Sequence, residues 1–313
     1  MVKPTVGITI GDPAGIGPEI TLKALMHPKI RKVCKIVVIG SKLFLPGLKK
    51  PGKKTFYDFV EVPCPDLKKV VLGKFSSKTG LASYKFIAKA VDLLKSKKID
   101  ALVTAPISKE ALNLAGIQYS GHTELLADFT QTKDFAMLMV ANTFRTAMVT
   151  RHMPLQYACK NISAQNIVSI TQLVRKFLIN KLKIKSPKIG ICALNPHAGE
   201  GGLLGREEED FIIPAIKKLK NKKIYVEGPI PADSAWLKMK SGKFDFLVTM
   251  YHDQAMIPLK ILEPEKIVNI TVGLPFIRTS PGHGTAFDIA GKGKADPSSM
   301  IEAIQVAADL SRS

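Results

Sequence analysis

The sequence predicts an α/β protein of two domains, each a parallel sheet with helices on both faces. Three observations carry that prediction. Short apolar runs suited to buried strands alternate with longer stretches of helical period throughout the chain. Polar residues, histidines above all, gather just after several of those runs, where open α/β sheets bind their ligands. The length, 313 residues, suits roughly two domains.

Taken in order, residues 6–10 read as a strand, the loop Gly11-Asp-Pro-Ala-Gly-Ile-Gly-Pro-Glu19 follows, and Pro18 opens a helix to about residue 26. Residues 35–39 (KIVVI) form the next strand, and 46–80 hold little periodicity. A helix over 81–95, a strand over 100–104 and a short helix over 108–114 come next. Ser120-Gly-His-Thr-Glu124 opens a helix to about 129. Strands 137–141 and 146–150, separated by Asn142-Thr143, read as a hairpin. Then come a helix over 164–182, a strand over 188–194, a helix over 207–220, and strands over 244–250 and 267–272. The run 269–300 is polar and broken by Gly and Pro, which predicts irregular backbone rather than a buried strand or helix. A closing helix starts at 297 or 298.

Composition narrows the function. The chain is 46% hydrophobic, enough for a sizeable core. No apolar run approaches the ~18 residues of a membrane helix, and Asp12 and Pro13 arrive too early for a secretory leader, so a soluble cytoplasmic protein is expected. Cys34, Cys64, Cys159 and Cys192 lie far apart with no CxxC pair, which predicts free thiols in a reducing compartment. The net charge is +20, but the lysines are spread in small clusters at 49–54, 95–98, 181–188 and 217–223. With 7% aromatics and no recognition motif, nucleic-acid binding is set aside. The positive field suits an anionic substrate.

His152, His197 and His252 each lie just past a predicted strand. Three imidazoles without a cysteine suit a catalytic Zn²⁺, Co²⁺ or similar ion. His122 and Thr123 sit at a helix N-terminus, where free N–H groups favour an anion. The loop after the first strand has glycines at 11, 15 and 17, which do not fit GxGxxG, and no acidic residue follows ~20 positions on. A nicotinamide cofactor would therefore bind outside the Rossmann mode. In the turn Gly282, His283, Gly284 and Thr285, backbone can approach a ligand closely.

The segments GDPAGIGPE, SGHTE, NPHAGEGG, GPIPAD, MYHDQ, NITVGLPFIRTS and HGTAFDIAGKGKAD, in unbroken order, resemble the signature of the 4-hydroxythreonine-4-phosphate dehydrogenase family of vitamin B6 biosynthesis. GDPAGIGPE and HGTAFDIAGKGKADP also resemble the isocitrate and isopropylmalate dehydrogenases. The resemblance implies an isopropylmalate dehydrogenase-like fold, with two α/β/α domains flanking a cleft. The first would span 1–120 plus 291–313; the second, 121–290, would carry the metal and substrate residues. It implies NAD (or NADP) and a divalent metal (Zn, Co or Mg) held by His152, His197 and His252. His122, Thr123, Lys260, Asn269 and Arg278 would bind substrate, and Gly282, His283, Gly284, Thr285, Asp288 and Lys292 would meet the adenosine half of NAD. Asp233 is a candidate to orient the substrate amine or relay a proton. It further implies a homodimer with its site at the subunit interface, acting on 4-phosphooxy-L-threonine. After MYHDQ this chain has Ala255-Met256 where a glycine is expected, and SPGHGTAFDIAG also resembles relatives acting on threonate or erythronate 4-phosphate. A related four-carbon phosphorylated acid is thus the alternative substrate.

Overall fold

The computed structural model describes residues 3–46, 56–65, 67, 70–119 and 121–312; the basic cluster expected at 49–54 and Ser120 of SGHTE lie outside the described residues. The strands in chain order are β1 (Thr5–Thr9), β2 (Lys35–Gly40), β3 (Tyr57–Glu61), β4 (Ala101–Thr104), β5 (Ala136–Ala141) and β6 (Phe144–Met148). They continue with β7 (Ile189–Cys192), β8 (Val226–Ile230), β9 (Phe246–Thr249), β10 (Val268–Val272) and β11 (Ile277–Pro281). The chain forms two compact units, Met1–Lys133 with Val268–Arg312, and Asp134–Ile267.

In the first unit the strands run β3-β2-β1-β4-β11-β10. All neighbours pair in parallel except β10 and β11, which are antiparallel. The runs Ile36–Ile39 and Ala101–Thr104 are buried residue by residue, as strands covered on both faces must be. Helix Ser77–Lys95 packs on β1, β2 and β4, and its start is fixed by a capping box between Ser76 and Thr79. The closing helix Ser298–Arg312 packs on β4, β10 and β11, where Thr279 Oγ1 donates to Ala303 O at 2.7 Å. Strand side chains alternate, so Arg278, next to Thr279, points to the other face.

In the second unit the order is β5-β6-β9-β7-β8. β5 and β6 form the expected hairpin around Asn142, whose φ is 55°; the other pairs are parallel. Met139, Met148, Cys192, Trp236, Leu247, Met256 and Leu259 belong to one apolar core. Gln254 ties two strand ends together inside it: its Oε1 accepts from Met250 N and its Nε2 donates to Ala193 O, both at 2.8 Å.

Four expectations change. The sheets are mixed, not wholly parallel, because two hairpin-like pairs are built in. The division of the chain differs from 1–120, 121–290 and 291–313: helix His122–Phe129 packs on helix Ser77–Lys95, with the rings of Tyr84 and Phe129 5.6 Å apart, and β10 and β11 extend the sheet from β4. His122, Thr123, Asn269, Arg278 and the 282–292 loop therefore belong to the first unit. The run 269–300 is not irregular throughout, since β11 is a buried strand within it. Finally β3, β8 and the helices Ala232–Lys240 and His252–Leu262 were not anticipated; β3 is a partly exposed edge strand with little apolar signal.

Candidate active site

Arg278 is level with Leu102 of β4 and Thr271 of β10, so Thr104, Thr271 and Arg278 share one face. The guanidinium is almost wholly buried, at 1% exposure. Its Nε and Nη2 donate to Thr104 Oγ1 at 3.2 and 2.6 Å, and Nη1 donates to Thr271 Oγ1 at 3.0 Å. Those acceptors are neutral hydroxyls. Burial pushes Arg278 down to about 9, an effect that the charge of Glu124 partly offsets. A buried cation on neutral partners is costly in the free protein and calls for an anion.

Three unpartnered atoms belong to the same face or its rim. Thr9 is level with Thr104, and its Oγ1 is buried without a hydrogen bond. Asn269 is level with Ser280 of β11, and its Oδ1 is buried in the same state. His122 opens helix His122–Phe129 with its Nε2 closed off and unpartnered. Burial first, and the charge of Arg278 second, hold His122 well below its ordinary 6.5, so the ring is neutral at pH 7. Thr123 joins the set, its Oγ1 3.4 Å from that of Thr271. Buried polar atoms are rarely left unmatched, and each costs roughly 1–3 kcal/mol. Together they outline a seat for a ligand rich in charged and hydroxyl oxygens.

The histidines of the second unit are presented by loops beyond the strand ends. Backbone pairing runs on past β6 and β9, with Val149 N to Thr249 O at 2.9 Å and Thr150 N to Met250 O at 3.0 Å. That brings His152 and His252 together, their ring centroids 5.3 Å apart. His252 begins helix His252–Leu262, and its Nδ1 lies 2.7 Å from Asp253 Oδ1. His197 sits in a left-handed turn after β7, with φ 51°, and its Nδ1 lies 2.6 Å from Glu200 Oε1. That contact is the main cause of its raised pKa, to which Asp233 adds. A carboxylate on Nδ1 fixes the tautomer of each of these two rings and leaves its Nε2 for another partner. Among the described residues no three His, Cys, Asp or Glu side chains are gathered closely enough to hold one. The structure thus pairs His152 with His252 and leaves His197 apart from them.

The remaining candidates lie as follows. Asp233 is exposed in the first turn of helix Ala232–Lys240 and accepts from Ser234 N at 2.7 Å. Lys260 is exposed on helix His252–Leu262, eight residues and therefore about 12 Å along the axis from His252. Gly282 N donates to Ser299 Oγ at 3.0 Å. His283 Nδ1 lies 3.0 Å from Gly284 O, and its Nε2 is buried and unpartnered. Thr285 O accepts from Ile16 N at 3.0 Å, which joins this loop to the glycine loop after β1. Asp288 and Lys292 are exposed.

A family model described as pyridoxal phosphate biosynthetic protein PdxA matches residues 22–307. The chain belongs to that family. It is 43% identical over 325 residues to a D-threonate 4-phosphate dehydrogenase of Cupriavidus necator, covering 98% of this chain and 97% of that one. It is 42% identical over 325 residues to a 4-hydroxythreonine-4-phosphate dehydrogenase of Sulfurihydrogenibium sp., covering 100% and 99%. Among solved structures it resembles the 4-hydroxythreonine-4-phosphate dehydrogenase of Klebsiella pneumoniae, with a TM-score of 0.89, 35% identity, and coverage of 100% and 99%. The chain is therefore a dehydrogenase of the PdxA family.

In this PdxA family member the structure adds partners that sequence reading did not single out: Thr9, Thr104 and Thr271 around Arg278, Asp253 and Glu200 behind two histidines, and Gln254 beneath them. Asp253 and Glu200 had a usable signal, a carboxylate one or three residues after a candidate ligand. The threonines had none, since a threonine in a strand is ordinary β-former chemistry.

Proposed function

We propose that the protein is an NAD- and divalent-metal-dependent 4-hydroxythreonine-4-phosphate dehydrogenase. It would oxidise the C3 hydroxyl of 4-phosphooxy-L-threonine to give 2-amino-3-oxo-4-phosphooxybutanoate. That β-keto acid then loses CO₂ to give 3-amino-2-oxopropyl phosphate, in the cytoplasm; the four free thiols agree with a reducing compartment. The observation that carries the reading is the buried Arg278 with the unmatched Thr9, His122 and Asn269 atoms around it. This set matches a phosphorylated, hydroxylated acid better than an apolar or cationic ligand.

Arg278 binds the anionic end of the substrate through its planar fork, and Lys260 adds a point charge. Thr123 and neutral His122 hydrogen-bond to it, and Asn269 Oδ1 accepts from a substrate N–H or O–H. Asp233, exposed in the first turn of its helix, orients the substrate amine or accepts a proton. His152, His197 and His252 would hold the ion, which could be zinc, cobalt or magnesium. When bound, it supplies Lewis acidity at the reacting oxygen. NAD, or NADP, supplies the hydride acceptor. The 282–292 loop with the glycine loop is the segment we assign to its adenosine half: Gly282, His283, Gly284, Thr285, Asp288 and Lys292.

The 43% identity to a D-threonate 4-phosphate dehydrogenase, against 42% to a 4-hydroxythreonine-4-phosphate dehydrogenase, favours threonate or erythronate 4-phosphate as a second substrate reading. NADH absorbance separates the two. Turnover on 4-phosphooxy-L-threonine that is lost on chelation and restored by zinc or cobalt supports the first. Turnover only on threonate or erythronate 4-phosphate moves the assignment to the second. Full activity after proven metal removal sinks the ligand role of His152, His197 and His252.

A further inference from the structure

The fold gathers charge that the sequence spreads. β9, β7 and β8 lie side by side and run parallel, with Ile189 level with both Val226 and Phe246, so the three strands begin together. Helices Ala164–Asn180, Ile213–Asn221 and Ala232–Lys240 end just before them. All three strands are therefore entered at one end of the second unit, opposite to the end where His197 and His252 follow β7 and β9. The segments arriving there, 181–188, 217–227 and 238–245, hold twelve lysines and no arginine, against two acids, Glu227 and Asp245. Both acids are engaged: Glu227 Oε2 lies 2.8 Å from Lys243 Nζ, and Asp245 Oδ2 accepts from Lys188 N at 2.8 Å. The excess of positive charge at this end is half of the chain's net +20.

Lysines near helix C-termini complement the helix dipole, which accounts for part of the cluster. It does not account for Lys183 and Lys223. The three helices close alike, each followed by a left-handed residue: Lys183 with φ 58°, Lys223 with φ 56° and Gly242 with φ 79°. The next N–H then turns back into the helix, from Ile184 to Leu178 O at 3.0 Å, Ile224 to Leu219 O at 3.1 Å and Lys243 to Lys238 O at 2.9 Å. Glycine takes that conformation freely and lysine does not. Two of the three closures thus carry an exposed lysine where the backbone disfavours it, which points to a use for the charge.

Lysines are point charges suited to phosphate. The exposed large apolar side chains at this end are Tyr225 and Leu237, and the Tyr225 hydroxyl donates to Glu227 Oε1 at 2.6 Å. That pair is neither an apolar face for a bilayer nor a set of rings for the bases of a single strand. A duplex asks for neither. It carries one negative charge per ~1.7 Å of axis, and the outer strands β9 and β8 stand about 10 Å apart, so this end meets about six phosphates. We propose that this end of the second unit binds the phosphate backbone of a nucleic-acid duplex without reading its sequence. The inference goes beyond the dehydrogenase reading and does not depend on it.

The test titrates the full chain into fluorescein-labelled duplexes of about 20 base pairs, one RNA and one DNA, and follows anisotropy at salt concentrations from about 50 to 200 mM. Six phosphate contacts give a slope of log K against log salt of about −5, roughly a thousandfold weakening over that range. The quadruple variant Lys185→Gln, Lys188→Gln, Lys220→Gln, Lys222→Gln should reduce that slope by about 3–4 and the affinity at low salt at least about tenfold. A matched control, Lys78→Gln, Lys89→Gln, Lys95→Gln, Lys98→Gln, lowers the net charge equally on and just after helix Ser77–Lys95 and should keep the wild-type slope. Lys223→Gly should reduce the slope by about 1 while Tm holds or rises, whereas a lysine kept only for folding would lower Tm and leave binding unchanged. Binding of one duplex type alone supports the inference and names the nucleic acid. An equal loss in the control, or an unchanged slope in the quadruple variant, overturns it. So does a wild type that binds neither duplex at low salt, or that binds phosphatidylserine vesicles and no duplex.

Discussion

At the scale of single residues, the chemistry turns on how one buried cation is held. Thr104 gives Arg278 one oxygen for two of its donors, and Thr271 serves the third. Neither hydroxyl neutralises the guanidinium, and Glu124 offsets its burial only in part, so it can still draw an incoming anion. Thr104→Val removes the acceptor and strands two charged N–H groups, each worth roughly 1–3 kcal/mol. We expect a lower Tm and at least a tenfold weaker response to inorganic phosphate, with Thr104→Ser restoring both. An unchanged phosphate titration for the valine variant would remove Thr104 from the site. His122 yields a prediction with a definite sign. Its folded pKa lies well below 6.5, so as pH falls through 6.5 the unfolded chain takes up a proton that the native ring refuses. Stability therefore drops by about 1.4 kcal/mol per pH unit, until the folded pKa is reached. His197 is shifted the opposite way by Glu200, so the comparison must be differential. Urea melts at pH 7 and 5.5 should show a smaller loss for His122→Gln than for wild type. An equal loss in both would mean the ring is protonated in the native state.

At the scale of elements, function depends on loops locked to one another by backbone. The glycine loop after β1 and the 282–292 loop meet where Ile16 N donates to Thr285 O. A Cβ on Gly15 would stand 2.9 Å from that carbonyl oxygen. Gly15→Ala should push the two loops apart, raising the dissociation constant for NAD about tenfold while leaving the phosphate titration unchanged. If NADH fluorescence instead reports unaltered cofactor affinity, this loop pair is not the adenosine seat. The same elements show what sequence makes legible. β1, β2, β4, β7 and β9 are apolar runs bounded by turns, and the three histidines betray themselves by following such runs. β11 could not be read that way, because its pattern depends on partners distant in sequence. Arg278 is compatible with a buried strand only once Thr104, 174 residues away, accepts from it. The helix His252–Leu262 hid behind a ligand motif and an internal Pro258. The division of the chain differs from the one expected for a similar reason: β10 and β11 extend the first unit's sheet from β4, a choice of neighbour that local periodicity does not encode.

At the scale of the whole molecule, two properties oppose each other. The formal charge of +20 attracts an anionic substrate and also drives identical copies apart. Yet the second unit exposes large apolar side chains, among them Leu203 at 83%, Ile261 at 75% and Leu237 at 68%. Ile257 and Ile261, four residues apart, lie on one face of the helix that begins at His252, in line with Asp253. Solvent-exposed isoleucine on the helix that carries a candidate ligand supports the homodimer, with its site at the subunit interface, that the family resemblance implies. Burial of this strip would stabilise association, and repulsion between the two positive copies would weaken it, so added salt should tighten the dimer. Sedimentation equilibrium of the wild-type chain should therefore show a dimer whose dissociation constant falls between 50 mM and 300 mM salt, conditions chosen to span a roughly twofold change in Debye length. Ile257→Asp with Ile261→Asp places two carboxylates in the strip and should leave a folded monomer. If the histidines act across the interface, that monomer will also lose its turnover while its Arg278 cluster still binds inorganic phosphate. A double variant that stays dimeric, or a wild type that is monomeric at every salt concentration, would show that this face is not where two copies meet.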